Sequence, residues 1–210
     1  MIKFKKNKYA VIRKAIDKDF ALFLYNYFLM KKQVYDTMLQ LRYISPFESA
    51  FGFYEPPENE GGQIPDTYSC YSDIAFETLM LKCQPIMEKT TGLKLYPAYS
   101  YSRIYKKDDE LKKHIDRFSC EISTTMNLGG DKWPIYLKTS EKLSKKIKID
   151  LNPGDMLVYR GIELEHWREK FEGNHSAQVF LHYNNTKTKF AKDNMFDGRK
   201  HLGLPGWFKK

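Results

Sequence analysis

The chain has 210 residues, a mass of 24.9 kDa and 42% hydrophobic residues, enough apolar material for one ordinary domain to bury a core without staples. Thirty-five Lys and Arg against 26 Asp and Glu leave a charge of +9, which favours acidic partners or small anions but does not select nucleic acid. Cys70, Cys83 and Cys120 form neither an even framework nor a CxxC pair, so a disulfide scaffold and a zinc finger find no support and a reducing cytoplasm fits best.

The basic start MIKFKKNKY is followed by too short an apolar stretch for a secretory signal, and the run Phe20 to Met30 is broken by Tyr and Asn well short of a bilayer span. A soluble protein with no membrane partner is expected. Tyr9 to Arg13 reads as a short strand. Asp17 can cap a helix whose core face carries Phe20, Phe23, Leu24, Tyr27, Val34 and Met38. Ser45 to Asp66, with Pro46, Pro56, Pro57, Pro65, Gly52, Gly61 and Gly62, reads as a long loop that is either a lid or binding loop or a plain surface excursion. A second helix is expected from about Asp73 to Lys89, with Leu79, Cys83 and Met87 inward, a kink at Pro85 and a stop at Thr91-Gly92.

From Leu93 onward the chain reads as short aromatic and β-branched segments separated by turns, an antiparallel β pattern. Candidate strands are Tyr96 to Tyr105, Ile115 to Leu128, Pro134 to Lys138, Lys146 to Leu151, Met156 to Tyr159, a stretch near His166, and Ala177 to Tyr183. The lysines from Lys138 to Lys148 mark a solvated hairpin edge. Strands gathered behind helices, with no P-loop and no GxGxxG, point to an α+β chain with a jelly-roll or barrel core. The expected organisation is a single domain over 1–210: helical support over about 1–92, a β core over 93–185 and a basic tail over 186–210. The tail holds His201 and reads as a flap, a docking segment or a loose end.

The chemistry-bearing residues are His114 and Asp116, which period-two alternation sends to one face of the strand pattern that continues through Phe118, Cys120, Ile122, Thr124, Met126 and Leu128. Alone, a His-x-Asp pair is as readily a surface ion pair. His166, three candidate strands later, completes two imidazoles and a carboxylate, the facial set used by non-haem Fe(II) oxygenases. A zinc hydrolase can use the same donors, but HExxH is absent.

The stretch YSRIYKKDDELKKHID, from Tyr101 to Asp116, resembles the RxYxxGxxxxxHxD opening of the prolyl 4-hydroxylase-like 2-oxoglutarate and Fe(II)-dependent dioxygenases. NPGDMLVYRGIELEHWRE resembles that family's run from a PGD turn to its distal histidine, and SAQVFLHYN its last core strand. The resemblance covers about Tyr96 to Asn185. It implies a double-stranded β-helix, or jelly roll, with supporting helices, and His114, Asp116 and His166 as catalytic iron ligands. The cofactors it implies are Fe(II), 2-oxoglutarate as cosubstrate and O2, with ascorbate as a candidate reductant. The implied reaction hydroxylates a C–H bond and releases succinate and CO2. The carboxylate at Asp116 favours this over halogenation, because related halogenases have a small residue there.

Two departures stand out. The family's Lys or Arg nine or ten residues past the distal histidine, which grips the far carboxylate of 2-oxoglutarate, is replaced by His175 and Ser176. Arg168 is the preferred substitute, with Arg103 or a protonated His175 as alternatives. Tyr105 matches a family tyrosine that hydrogen-bonds this carboxylate and shares a face with Tyr99, Tyr101 and Arg103, a set that reads equally as an aromatic core face. Asp108 stands where the family commonly has Gly and is expected to alter only a turn. His182 reads as a hydrogen-bonded structural histidine, and Glu163 or Glu165 as the group that orients His166. A prolyl residue of a protein or peptide is the expected substrate, a small molecule an alternative, and a nucleic acid is disfavoured because no binding motif is visible. The reading from a different class is a cupin-like binding module, with or without metal and without oxygenase activity.

Overall fold

The computed structural model describes residues 2–44, 50–139 and 146–209. A short helix α1 (Ile2–Asn7) leads into β1 (Tyr9–Ile12), and Asp17 then caps α2 (Lys18–Gln40) by accepting the Phe20 N–H at 2.7 Å. β2 (Phe53–Tyr54) and β3 (Tyr68–Tyr71) follow. Asp73 caps α3 (Ile74–Thr91), which runs through Pro85 and stops at Gly92 in the left-handed conformation, φ 73°. The β region comprises β4 (Leu95–Lys106), β5 (Leu111–His114), β6 (Ile122–Gly130), β7 (Ile135–Lys138), β8 (Lys146–Ile149), β9 (Met156–Arg160), β10 (His166–Arg168) and β11 (His175–Asn185).

These strands form two antiparallel sheets, a seven-stranded one in the order β1-β9-β6-β11-β4-β3-β2 and a four-stranded one in the order β5-β10-β7-β8. The larger sheet is covered on both faces, so its central strands are buried nearly throughout. On one face Met156, Val158, Val179, Leu181 and Tyr183 meet Leu24, Phe28 and Tyr35 of α2 and Leu79, Cys83 and Met87 of α3. On the other, Leu157 and Tyr159 meet Ile135, Leu137 and Ile149 of the smaller sheet. This is the double-stranded β-helix, with the helices outside it. Among the described residues no helix is long and apolar enough to cross a membrane.

The PGD turn has a structural task. Asp155 is buried and accepts the Lys14 N–H at 2.9 Å, the Asn152 N–H at 3.0 Å and Arg13 at 2.7 Å, which locks the β1–α2 connection to the barrel. These donors hold its carboxyl below the ordinary range despite the opposing effect of burial.

Two expectations need correction and two are filled in. Beside the expected strand β1, the front of the chain adds β2 and β3, and the three extend the large sheet at its two edges. α2 buries Ala21, Leu24, Phe28 and Tyr35, leaving Phe23 and Val34 exposed. Phe28 and Tyr35 lock onto the ring of Tyr68 at 5.5 and 5.6 Å, so β3, which the sequence pattern did not show, decides the helix face. The strand expected over Ile115 to Leu128 is broken by a 3₁₀ turn at Phe118–Cys120, and Phe118 points to solvent. Of the readings offered for the C-terminal tail, the flap holds: Arg199 is buried against Glu77 at 2.7 Å and donates to the Ala98 carbonyl at 3.2 Å, so the tail is a strap laid on α3 and β4. His201 is exposed on that strap. Residues 45–49 of the long loop and 140–145 of the lysine-rich hairpin lie outside the described residues.

Candidate metal centre

His114 is the last residue of β5 and His166 the first of β10, and the two are direct partners in the antiparallel register, with ring centroids 4.2 Å apart. The 52-residue separation is therefore closed by the pairing of the small sheet. Asp116 sits two residues beyond His114 in the connection, its N–H bound to the Gly161 carbonyl at 2.9 Å. One ligand atom from each of His114, Asp116 and His166 lies within 4.8 Å of the others. Asp116 Oδ1 stands 3.8 Å from His114 Nε2 and 3.5 Å from His166 Nε2.

Both imidazoles are oriented by the carbonyl two residues upstream. His114 Nδ1 donates to Lys112 at 2.8 Å and His166 Nδ1 to Leu164 at 3.0 Å, which leaves both Nε2 lone pairs facing Asp116. The expectation that Glu163 or Glu165 orients His166 fails, because these carboxylates face Lys8, Arg160 and Lys138 instead. Burial is the largest influence on His166 and, with His114 beside it, pulls its basicity below the ordinary value against the opposing pull of Asp116. Neutral imidazole is the form that binds metal.

Asp116 is held from behind. Ser123 donates to its Oδ2 at 2.7 Å and lies 3.0 Å from His182 Nδ1, and His182 packs on Tyr99 with centroids 4.6 Å apart. Burial pulls His182 down to about 4, so it is a neutral, hydrogen-bonded histidine as expected, but one that serves the site. Gly161 seats the carboxylate, since a Cβ there would overlap Asp116 Oδ2 and the Cys120 carbonyl and lie 2.7 Å from Ser123 Oγ.

The triad opens into a cavity of about 490 Å³. Tyr99, Tyr101, Arg103 and Tyr105 line it from alternate positions of β4, with Phe180 and His182 of β11 beside them and Glu55, Gly61 and Gln63 from the long loop closing one side. The part of that loop described here is thus cavity wall. Asp108, in the turn between β4 and β5, has φ 72°, the left-handed geometry for which the family's glycine is suited.

The candidate clamp residues divide. Arg103 lines the cavity but is neutralised by the buried Glu55, whose carboxylate also accepts from Tyr101; burial opposes its charge, yet Tyr101, Tyr105 and Glu55 hold its basicity high. His175 does not reach the site. Alternation along β11 turns it toward α2, where it bonds and stacks on Tyr25, centroids 5.9 Å apart. Arg168 is almost wholly buried beneath the cavity wall beside Tyr105 and Tyr159. Its Nη atoms donate to Trp133, to Thr125 at 3.2 Å and to Gln178 at 3.3 Å, and no carboxylate pairs with it among the described residues. Its Nε and the Tyr105 hydroxyl are buried with no hydrogen-bond partner among those residues. A buried guanidinium with an open Nε and no carboxylate partner among the described residues, beside an unpaired buried hydroxyl, suits an anion. Ser176, one of the two positions where the family's cation is expected, accepts from Gln178 at 3.2 Å, and Gln178 in turn accepts from Arg168 of the other sheet at 3.3 Å.

No protein-family model matches the sequence, and neither does any curated protein. Solved structures do match the fold. A prolyl-4-hydroxylase from Pseudomonas putida aligns with a TM-score of 0.62 at 11% identity, over 88% of this chain and 96% of that one. HygX from Streptomyces hygroscopicus, solved with nickel and 2-oxoglutarate bound, aligns at 0.56 and 12% identity over 89% and 86% of the two chains. SnoK, a non-haem α-ketoglutarate-dependent carbocyclase of nogalamycin biosynthesis, aligns at 0.58 and 8% identity over 86% and 80%. The chain therefore has the fold of the prolyl 4-hydroxylase-like 2-oxoglutarate oxygenases, a fold that carries several reactions.

Proposed function

We propose that this protein is a non-haem Fe(II) and 2-oxoglutarate-dependent dioxygenase that hydroxylates a C–H bond. The convergence of His114, Asp116 and His166 at a cavity of the double-stranded β-helix carries this reading. Two imidazoles and a carboxylate with open positions suit iron. The bound iron and 2-oxoglutarate supply the activation of O2 and the oxidising equivalents, with succinate and CO2 as co-products.

The chain's own residues supply binding and orientation. His114 and His166 present fixed Nε2 lone pairs, and Ser123 turns Asp116 so that Oδ1 faces them. Tyr105 and Arg168 offer the far carboxylate of 2-oxoglutarate one unpaired hydroxyl and one unpaired N–H, a better fit than the already neutralised Arg103. Tyr99, Tyr101 and Phe180 wall off water from the reacting face. The substrate is a protein or peptide, with a prolyl residue as the leading choice. The likeness of the fold to that of a prolyl-4-hydroxylase supports this. Small molecules are the alternative class.

The test is anaerobic titration of the protein with Fe(II) and then 2-oxoglutarate, followed by visible absorption. A charge-transfer band is expected in the wild type, absent in His114→Ala and requiring far more 2-oxoglutarate in Arg168→Ala. No band at saturating cosubstrate overturns the oxygenase reading in favour of a binding module.

A further inference from the structure

One polar side chain at the metal centre comes from outside the β core. Gln63 of the long loop places its Nε2 3.1 Å from His114 Nε2, the nitrogen that faces the triad. The orientation of this carboxamide is fixed by its partners. Arg103 has only donors, so the group it meets at 3.0 Å must be Gln63 Oε1, and the NH2 therefore points at His114. His114 donates from Nδ1 to the Lys112 carbonyl, so its Nε2 is an acceptor and takes the Gln63 N–H.

The side chain is also built to stay there. Gln63 N–H and Ile64 N–H both donate to Glu55 Oε2 at 2.9 Å, while Glu55 Oε1 accepts from Tyr101 and Arg103. Arg103 is anchored in turn by Ser69 at 3.3 Å. A buried ion pair and two backbone amides thus hold an exposed carboxamide at one place on the cavity wall. Preorganisation of this kind fixes a donor where it is to be used.

A lone pair cannot serve a metal and an N–H together. We infer that Gln63 NH2 and the metal ion compete for His114 Nε2, and that with metal bound the same NH2 donates to a carboxylate oxygen of 2-oxoglutarate held beside His114. Gln63 is in this sense a cosubstrate-binding residue supplied by the loop. The inference rests on the metal-centre reading above. It adds a donor that the three-ligand pattern does not contain, and it gives the loop a role in loading the site.

Gln63→Met keeps the length and removes both polar atoms, and Gln63→Ala removes the side chain beyond Cβ. Mn(II) binding alone, read from the EPR signal of free Mn(II), is expected to tighten about two- to ten-fold in both variants, the range for one net hydrogen bond. Binding of 2-oxoglutarate at saturating Mn(II), read by calorimetry under anaerobic conditions, is expected to weaken by about the same factor. Opposite shifts in one variant are what a general loosening of the loop does not produce. If both affinities fall together, or Mn(II) affinity is unchanged, or 2-oxoglutarate affinity holds, the inference is overturned while the metal centre stands. If the wild type binds no Mn(II), or His114→Ala binds it equally, the metal centre itself falls and this inference with it.

Discussion

Gly161→Ala perturbs the centre without touching a candidate ligand. A Cβ at residue 161 would run into Asp116 Oδ2 and the Cys120 carbonyl and lie 2.7 Å from Ser123 Oγ. The carbonyl belongs to the backbone of a 3₁₀ turn, so it cannot yield cheaply. The Asp116 carboxylate is therefore the group that moves, breaking its 2.7 Å bond from Ser123. Overpacking costs about 1–3 kcal/mol, and loss of a hydrogen bond to a charged group about 1.5–3 kcal/mol. Because the two share one displacement, a total near 3 kcal/mol is expected in urea unfolding. Metal affinity should fall at least ten-fold in a Mn(II) titration, since Oδ1 no longer lies 3.5 Å from His166 Nε2. Gly173→Ala is the control, with a comparable clash against Phe171 and Asp131 at 2.7 Å but away from the triad. It should lose stability and keep its metal affinity. If Gly161→Ala binds metal as the wild type does, or the two variants lose affinity alike, the seating of Asp116 by Gly161 is refuted.

Tyr105→Phe removes a buried hydroxyl that has no partner among the described residues and leaves the ring on Trp133, centroids 4.7 Å apart. Thermal stability should hold or rise by up to about 1 kcal/mol while 2-oxoglutarate affinity drops several-fold, and an unchanged affinity removes Tyr105 from the clamp. His182, drawn by burial from 6.5 to about 4, stays neutral in the folded protein where the unfolded chain takes up a proton. Its contribution is complete above about pH 6.5 and is lost as pH falls toward 4, up to about 3 kcal/mol. His182→Gln should therefore show a flatter decline of urea midpoint across that range, and parallel profiles would contradict this. Arg199→Ala leaves Glu77 charged and buried without its 2.7 Å partner, which should cost about 3–5 kcal/mol in unfolding free energy. A loss below about 1 kcal/mol would mean that the C-terminal strap is not fastened there.

The elements that were legible in the sequence are those fixed by local chemistry. Asp17 and Asp73 cap their helices through their own carboxylates, and Gly92 ends α3 because the chain there needs a positive φ. What the sequence hid depends on partners distant in the chain. β3 is four residues long and lies between a loop and a helix cap, and only pairing with β4 makes it a strand. The inward face of α2 follows from Tyr68 on that same strand, so missing one element misplaced another. The break after His114 escaped because apolar alternation runs through a 3₁₀ turn as readily as along a strand.

The candidate site divides along the same line. His114, Asp116 and His166 could be named because their spacing reflects one register, in which β5 meets β10 with the two histidines opposed. The groups that orient them carry no such spacing. Backbone carbonyls two residues upstream of each histidine do what the neighbouring glutamates were expected to do, and a carbonyl leaves no mark in a sequence. Arg168 and Gln63 illustrate two ways a polar residue is brought toward a jelly-roll cavity. Arg168 comes from the core itself, two positions after His166, and lies buried beneath the cavity wall, bonded to Gln178 of the facing strand. Gln63 comes from a loop, and only the Glu55–Arg103 pair brings it to His114. In the proposed clamp, Arg168 of the other sheet stands in for the cation missing from the last strand, whereas the loop's contribution depends on an ion pair that no motif contains. Exchanging the clamp tests the first point directly: Arg168→Met with Ser176→Lys should restore the 2-oxoglutarate affinity lost in Arg168→Met alone. A cation from either strand would then serve the same buried carboxylate, while failure of the double variant would confine the clamp to the β10 position.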